Sequence, residues 1–109
     1  MEIVTYRIKH ILTGLFYVDE LLDVEGKGLY PENFLRTNLL ETGQDFYRER
    51  ARIILNRLNG AKDVKISKRL VDLYDLKDKV IWTGTYYVLK PDFALFDIVE
   101  HTYKFIIES

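Results

Sequence analysis

The chain has 109 residues and a formal net charge of −1, so its length suits one domain and its charge supplies no general attraction to nucleic acid or anionic membranes. Apolar residues make up 48% and charged residues 30%, which is typical of a folded globular protein. There is no cysteine, which excludes disulfides, thiolate zinc sites and cysteine nucleophiles. We see no signal-peptide pattern and no apolar run approaching the roughly 18 to 20 residues that cross a bilayer, and therefore expect a cytoplasmic protein without membrane association.

The N-terminal segment predicts a β-hairpin. Residues 3–9 alternate in the two-residue period of a strand, and one set of side chains is expected to face the core: Val4, Tyr6, Ile8 and His10. Thr13-Gly14 supplies a turn, because glycine adopts a positive φ without strain. The aromatic-rich residues 15–18 then form the second strand.

The segment after the hairpin is acidic and rich in turn-forming residues. Its acidic side chains are Asp19, Glu20, Asp23 and Glu25, and they lack the spacing of an EF-hand. Gly26-Lys27-Gly28 lacks the Lys-Ser or Lys-Thr that follows in a phosphate-binding loop, so a simple turn explains it. Residues 29–30 and 34–35 form either a short edge strand or a loop that packs on the core.

The central part of the chain predicts the main helix, over residues 45–58. Thr42 is the expected N-cap, with Asp45 in a position similar to that of a capping box. Apolar side chains recur at helical spacing on one face: Tyr47, Ala51, Ile54, Leu55 and Leu58. Asn59-Gly60 is a typical helix end.

The C-terminal half predicts further strands around a shorter helix. Ser67 is the expected N-cap of a helix that contains Leu70 to Leu76, with a strand over residues 70–74 as the alternative. Residues 80–89 are β-branched and aromatic and predict one continuous strand. After a turn at 90–92, a last strand runs to Ile107 and pairs with the first. The predicted fold is a single α+β domain over residues 1–109, with a mostly antiparallel sheet from the N- and C-terminal strands packed on one main central helix.

Several short motifs resemble small, largely uncharacterised accessory proteins of tailed bacteriophages. The similar residues cover about a third of the chain: Tyr6-Arg7-Ile8-Lys9-His10, Thr13-Gly14-Leu15-Phe16-Tyr17, Gly26-Lys27-Gly28-Leu29-Tyr30-Pro31 and Ile98-Val99-Glu100. Leu12 stands where those proteins usually have proline, and the central helix shows no match. The resemblance implies a viral protein that works in the host cytoplasm on host or rival machinery.

His10 and His101 are the only histidines, and paired histidines can act as acid and base because their pKa lies near neutrality. If the first and last strands pair, the imidazoles could approach each other, and with Glu100 they could form a metal site. Neither histidine has Ser or Thr two residues later, as a two-histidine phosphodiesterase requires. We therefore predict structural histidines, no catalytic residue, no metal site and no cofactor.

Charge is distributed unevenly along the chain. Residues 36–69 contain nine basic and four acidic side chains, a net charge of +5, so the remainder of the chain carries −6. On the main helix Arg48 and Arg52 share one face, and Arg50 and Arg57 share another. Pairing of Asp45 with Arg48 and of Glu49 with Arg52 is expected to neutralise part of this surface.

The sequence favours a small non-enzymatic binding protein that engages a host or competitor protein. Tyrosine and arginine are typical interface residues, and Tyr86 and Tyr87 are expected to point to opposite faces of their strand. The predicted binding residues are Arg48, Arg52, Lys65, Lys68, Arg69 and Tyr87. The first alternative is nucleic-acid binding by the same basic region with tyrosine stacking. The second is a small phosphodiesterase or hydrolase that uses His10 and His101. A homodimer through a free sheet edge is also possible.

Overall fold

The computed structural model describes residues 1–19 and 37–104, and all structural statements below refer to these ranges. The predicted turns and short strands between residues 20 and 36 lie outside them, as does the predicted end of the last strand. The helices and strands are, in chain order, β1 (Glu2–His10), β2 (Phe16–Tyr17), β3 (Leu39–Leu40), α1 (Arg48–Leu58), β4 (Lys65–Ile66), α2 (Lys68–Leu73), β5 (Val80–Trp82), β6 (Tyr87–Leu89) and β7 (Phe96–Lys104).

The larger sheet has the strand order β3-β2-β1-β7, and its neighbours are antiparallel. β1 and β7 pair over nine residues each, from Glu2 opposite Lys104 to His10 opposite Phe96, which confirms the predicted pairing of the first and last strands. The turn between β1 and β2 contains Gly14 at a φ of 76°, as predicted. The inward set of β1 is confirmed at its C-terminal end, where Ile8 and His10 are fully buried, whereas Val4 is exposed.

The smaller sheet has the order β4-β6-β5 and contradicts the prediction of one strand over residues 80–89. β5 and β6 are the two arms of a hairpin, with Trp82 opposite Tyr87. Gly84 adopts a φ of 97° in the turn, and Thr83 donates its hydroxyl to the carbonyl of Tyr86. The Thr-Gly-Thr sequence therefore acts as a hairpin turn inside a β-favouring run.

Both helices were predicted, but the start of α1 was not. Its N-cap is Tyr47, which makes no side-chain capping bond, so the prediction of Thr42 as the cap is wrong. Asp45 lies before the helix and outside any helix or strand, and its neighbour Phe46 forms a bridge with Tyr6 of β1. The helix ends at Leu58, before Asn59 and Gly60, as expected. In α2 the Ser67 side chain accepts the N–H of Leu70, which confirms the predicted cap and excludes the alternative strand.

One hydrophobic core joins the two sheets and the helices, so the α+β fold is confirmed. α1 contributes Ala51, Ile54 and Leu58 to it, and α2 contributes Leu70 and Val71. The two sheets are also linked by Asn38, whose backbone N–H donates to the carbonyl of Lys65 while its side-chain oxygen accepts the N–H of Lys65. This arrangement holds α1 across the β1–β7 pair with its polar face outward.

Candidate partner-binding surface

The arginines of α1 lie on the two flanks of its buried face. As predicted, Arg48 and Arg52 lie on one flank and Arg50 and Arg57 on the other. On one flank Arg50 donates to Asp19 Oδ2 at 3.2 Å and Arg57 donates to Asp19 Oδ1 at 3.4 Å. Arg57 also donates to the hydroxyl of Tyr17 at 2.9 Å, and burial raises the pKa of Tyr17 to about 12, so the phenol stays neutral. The two arginines on this flank are therefore occupied inside the protein.

A second carboxylate, Asp45, holds Arg7. Asp45 Oδ1 accepts Arg7 Nε and the hydroxyl of Thr5, both at 2.9 Å, and Oδ2 accepts the hydroxyl of Tyr103. Burial raises the pKa of Asp45, but the hydrogen bonds from Tyr103, Arg7 and Thr5 outweigh it and leave that pKa below its usual value. The predicted pairing of Asp45 with Arg48 is therefore wrong, because the carboxylate lies on the sheet face opposite to α1.

Arg48 and Arg52 occupy the other flank of α1 and form a groove with the β1–β7 sheet. The groove is lined by Tyr6, Ile98 and Glu100 together with the two arginines. Tyr6 and Glu100 are cross-strand partners on the sheet face that packs against α1. Among residues 1–19 and 37–104, no carboxylate oxygen lies within 4.0 Å of either guanidinium, so the predicted Glu49–Arg52 pair is also wrong.

A tyrosine that the sequence pattern assigned to the core is exposed and directly precedes Arg48 in the chain. Tyr47 is 88% exposed, because it is the N-cap of α1 rather than a residue of its buried stripe. We call the surface formed by Tyr6, Tyr47, Arg48, Arg52 and Ile98 the arginine face. No sequence pattern indicated a binding role for Tyr6 or Ile98, although the correct register of β1 and β7 would have placed both beside the helix.

The other four predicted binding residues lie elsewhere and do not form one surface with the arginine face. Arg69 makes a two-pronged ion pair with Glu41, at 2.9 and 3.3 Å. The ammonium group of Lys65 lies 5.0 Å from the centre of the Tyr86 ring. Both adjacent tyrosines, Tyr86 and Tyr87, are half-buried.

Lys68 and Tyr87 line a separate groove between α2 and the β5–β6 hairpin. Trp82 is 56% exposed in this groove, and its ring centre is 4.8 Å from that of Tyr87. Two lysines and two aspartates line it, Lys68, Lys77, Asp72 and Asp75, so their formal charges cancel. The basic segment of the sequence is thus divided among several contacts, and little of its charge is concentrated at this groove.

The ring of His10 joins two segments of the chain through hydrogen bonds at both of its nitrogen atoms. Its ring is fully buried, Nε2 lies 2.6 Å from the carbonyl oxygen of Phe93, and Nδ1 lies 2.8 Å from the hydroxyl of Thr13. Because a carbonyl only accepts, we assign the proton to Nε2, and Nδ1 then accepts from Thr13. Thr13 in turn accepts the N–H of Leu15 at 3.1 Å. Burial lowers the pKa of His10, the bond to Phe93 opposing this only in part, so the neutral ring is favoured.

The two histidines do not approach each other. His101 is opposite Thr5, five residues along β1 from His10, which corresponds to roughly 16 Å at a strand rise of about 3.3 Å per residue. The rings also lie on opposite sheet faces, because Thr5, the partner of His101, and His10 are an odd number of residues apart in β1. The ring centre of His101 is 4.4 Å from that of Tyr103, in an edge-to-face contact. Glu100 and His101 are consecutive in β7 and face opposite ways, so a site with both histidines cannot form. Within the described ranges, no three His, Asp or Glu side chains converge in a metal-binding arrangement.

Comparison with models of protein families, with curated protein sequences and with solved structures gave no match to this chain. Of the two helices described here, neither combines the length and apolar character needed to cross a membrane.

Proposed function

We propose that this protein is a non-enzymatic binding protein and that it engages an acidic surface of another protein through the arginine face. The observation that carries this proposal is the division of the arginines. In the described ranges Arg7, Arg50, Arg57 and Arg69 are each bonded to a carboxylate of this chain. Arg48 and Arg52 are not, although they lie one turn apart on an exposed flank.

The surroundings of these two arginines suit a protein interface. Tyr6 and Ile98 line the groove together with the two arginines, and the exposed Tyr47 directly precedes Arg48. Tyrosine and arginine dominate interface hot spots because they combine a large contact area with directional hydrogen bonds. A glutamate or aspartate of the partner can accept two parallel bonds from a guanidinium. The resemblance to phage accessory proteins supports a host or competitor protein as the partner.

The same arginines are the basis of the alternative, nucleic-acid binding, which would also have to draw on exposed lysines such as Lys62 and Lys68. A nucleic-acid face usually neutralises several phosphates at once. Four of the arginines described here are already paired with carboxylates, and the groove with the exposed Trp82 carries as many aspartates as lysines. The position of Arg48 and Arg52 beside Tyr6 and Ile98 in one groove therefore supports a protein partner in preference to a phosphate backbone.

The test is capture of partners from bacterial lysate by three tagged proteins: the wild type, the Arg48→Glu/Arg52→Glu variant and a control, Lys62→Glu/Lys77→Glu. The control changes the net charge equally at exposed lysines outside the arginine face. Position 48 is in the first turn of α1, where glutamate complements the helix dipole, and position 52 is exposed, so the variant should fold. We expect a stoichiometric protein that the wild type and the control retain and the arginine variant loses.

Affinity for the captured protein should then fall at least about tenfold in the arginine variant, equivalent to about 1.4 kcal/mol. Equal affinity in all three proteins would contradict the proposal. Each capture is repeated with nuclease and at increasing salt. Loss of the captured material after nuclease, with affinity that falls steeply with salt, would replace the proposal by nucleic-acid binding.

A further inference from the structure

Among the described strands β7 lies at the edge of its sheet, and about half of its backbone groups point away from β1. Tyr6 exchanges backbone bonds with Phe46 at 3.0 and 2.8 Å, and His10 donates to Leu15, on the side of β1 opposite β7. Successive strand residues direct their N–H and C=O groups to opposite edges. The odd-numbered residues of β1 therefore bond to β7, and in this register their partners are the odd-numbered residues of β7.

The remaining residues of β7 direct their N–H and C=O groups to its outer edge: Phe96, Ile98, Glu100, Thr102 and Lys104. Side chains satisfy the first two of these N–H groups. Asn59 Oδ1 accepts that of Phe96 at 2.7 Å, and Asp97 Oδ1 accepts that of Ile98 at 2.9 Å. Because these two N–H groups bond to side chains and not to β1, they support the assignment of the even-numbered residues to the outer edge independently of the β1 contacts.

The second half of the edge has no such protection within residues 1–19 and 37–104. No described strand pairs with the outer side of β7, and no described side chain bonds to the outward backbone groups of Glu100, Thr102 and Lys104. The strand is regular over its whole length, with unbroken pairing to β1 and without proline or glycine. Such an edge is a template for another strand unless something prevents pairing.

We propose that this edge binds the same edge of a second copy of the chain, in antiparallel register centred on Thr102. Thr102 then lies opposite Thr102 of the second copy. Glu100 lies opposite Lys104 of the second copy, and this ion pair occurs twice because of the two-fold symmetry. His101 lies opposite Tyr103 of the second copy, on the other face. We call this edge-to-edge contact the β7 seam.

The sequence of this segment is complementary to itself in that register. Opposite charges, threonine pairs and aromatic pairs are the cross-strand combinations that stabilise antiparallel sheets. The three outward residues provide roughly six backbone hydrogen bonds, two for each of three pairs. Within one copy the Lys104 ammonium is 4.0 Å from a Glu2 oxygen and both side chains are largely exposed, so this contact competes weakly.

A register shifted by two residues toward the N-terminus is unfavourable, because Glu100 would then lie opposite Glu100 of the second copy. The register centred on Thr102 pairs residues of the same sheet face, so the two sheets become continuous and both α1 helices lie on one side. This inference does not depend on the proposed function, since neither Arg48 nor Arg52 contributes to the β7 seam.

The first experiment is sedimentation velocity of the full chain from roughly 1 μM to 1 mM, which spans weak to moderate association. We expect a concentration-dependent dimer. Glu100→Lys and Lys104→Glu should each weaken dimerisation at least tenfold, because each places like charges opposite one another. An equimolar mixture of these two variants should dimerise again, because at both positions a lysine of one variant then lies opposite a glutamate of the other.

The second experiment uses the absence of native cysteine. In a hydrogen-bonded antiparallel pair the Cα atoms are about 5.5 Å apart, within the range of a disulfide. Thr102→Cys should therefore form a covalent dimer on mild oxidation, and Thr85→Cys, in the exposed β5–β6 turn, should not.

A wild-type protein that stays monomeric across the concentration range would overturn the proposal. So would a dimer that neither charge variant weakens, a variant mixture that stays monomeric, or equal cross-linking of the two cysteine variants. Because the mixture restores association from the same two chains, misfolding of a single variant cannot be mistaken for loss of the β7 seam.

Discussion

The burial of His10 predicts that this protein becomes less stable as the pH is lowered through the range in which the unfolded chain protonates that histidine. The neutral ring joins the β1–β2 turn to the segment before β7, by donating to Phe93 and accepting from Thr13. Protonation would place a second N–H against the Thr13 hydroxyl, which would then have to stop donating. The charged form is therefore disfavoured in the folded protein, and burial lowers the pKa of His10 below 6.5.

The sign and the size of the effect follow from proton linkage. Below pH 6.5 the unfolded chain binds a proton at residue 10 that the folded chain does not, so the free energy of unfolding decreases as pH falls. The stabilisation is complete above the unfolded pKa and is lost below it. When the pH is lowered from one unit above 6.5 to one unit below it, His10 can reduce the free energy of unfolding by at most about 1.4 kcal/mol.

The assay is urea unfolding at those two pH values, followed by the fluorescence of Trp82. His10→Gln keeps an N–H donor but cannot titrate, so its loss of stability between the two pH values should be smaller than that of the wild type. Its stability at the higher pH should itself be lower by about 1–3 kcal/mol, because the ring contact with Phe96 is removed. His101→Gln is the matched control and should behave like the wild type. Equal pH-dependent losses in the wild type and His10→Gln would refute the reasoning.

Two further substitutions test the local packing, both by urea unfolding. Gly43→Ala should cost about 1–3 kcal/mol, because the new Cβ would lie 2.7 Å from Arg7 Cδ and 3.0 Å from Phe16 Cβ, and moving Arg7 disturbs its bond to Asp45; an unchanged midpoint would show that this contact relaxes freely. Ser67→Ala should cost about 1 kcal/mol through the lost N-cap of α2, and Ser67→Thr should retain most of the stability; equal losses in both variants would contradict the capping role.

The elements that the sequence predicted correctly are those with local signals. Alternation identified β1, the glycine after Thr13 identified its turn, and Ser67 and Asn59-Gly60 identified a helix start and a helix end. Each of these signals depends on residues within about four positions of one another, so no tertiary contact was needed to interpret it.

The errors concern residues whose roles are set by distant parts of the chain. Thr42 and Asp45 match a capping box, but Phe46 pairs with Tyr6 of β1 and holds this segment extended. The partner of Asp45 is then Arg7, 38 positions earlier, rather than the next helical arginine. In the same way, Asp19 occupies Arg50 across 31 positions.

The candidate site could be predicted only in part for the same reason. Five basic residues, Arg48, Arg52, Lys65, Lys68 and Arg69, were expected to act together because they are close in a basic stretch of sequence, and the fold places them in different contacts. Only Arg48 and Arg52 remain together and free of a described carboxylate, because they lie on the flank of α1 that faces the sheet rather than Asp19. Face-sharing on a helix is a local property and was predicted, whereas the pairing of Arg69 with Glu41 is a tertiary contact and was not.

Glu100 connects the two proposals, because it lies in the groove beside Arg48 and Arg52 and also on the outer edge of β7. In one copy Glu100 is the acidic residue that lines the groove, and its carboxylate lies more than 4.0 Å from both guanidinium groups. In the proposed dimer Lys104 of the second copy lies opposite Glu100 and competes for it. Dimerisation would then make the arginine face more electropositive and place two such faces on one side of a continuous sheet. An acidic partner would bind the dimer more tightly than the monomer for electrostatic reasons, without any change in the fold of either copy.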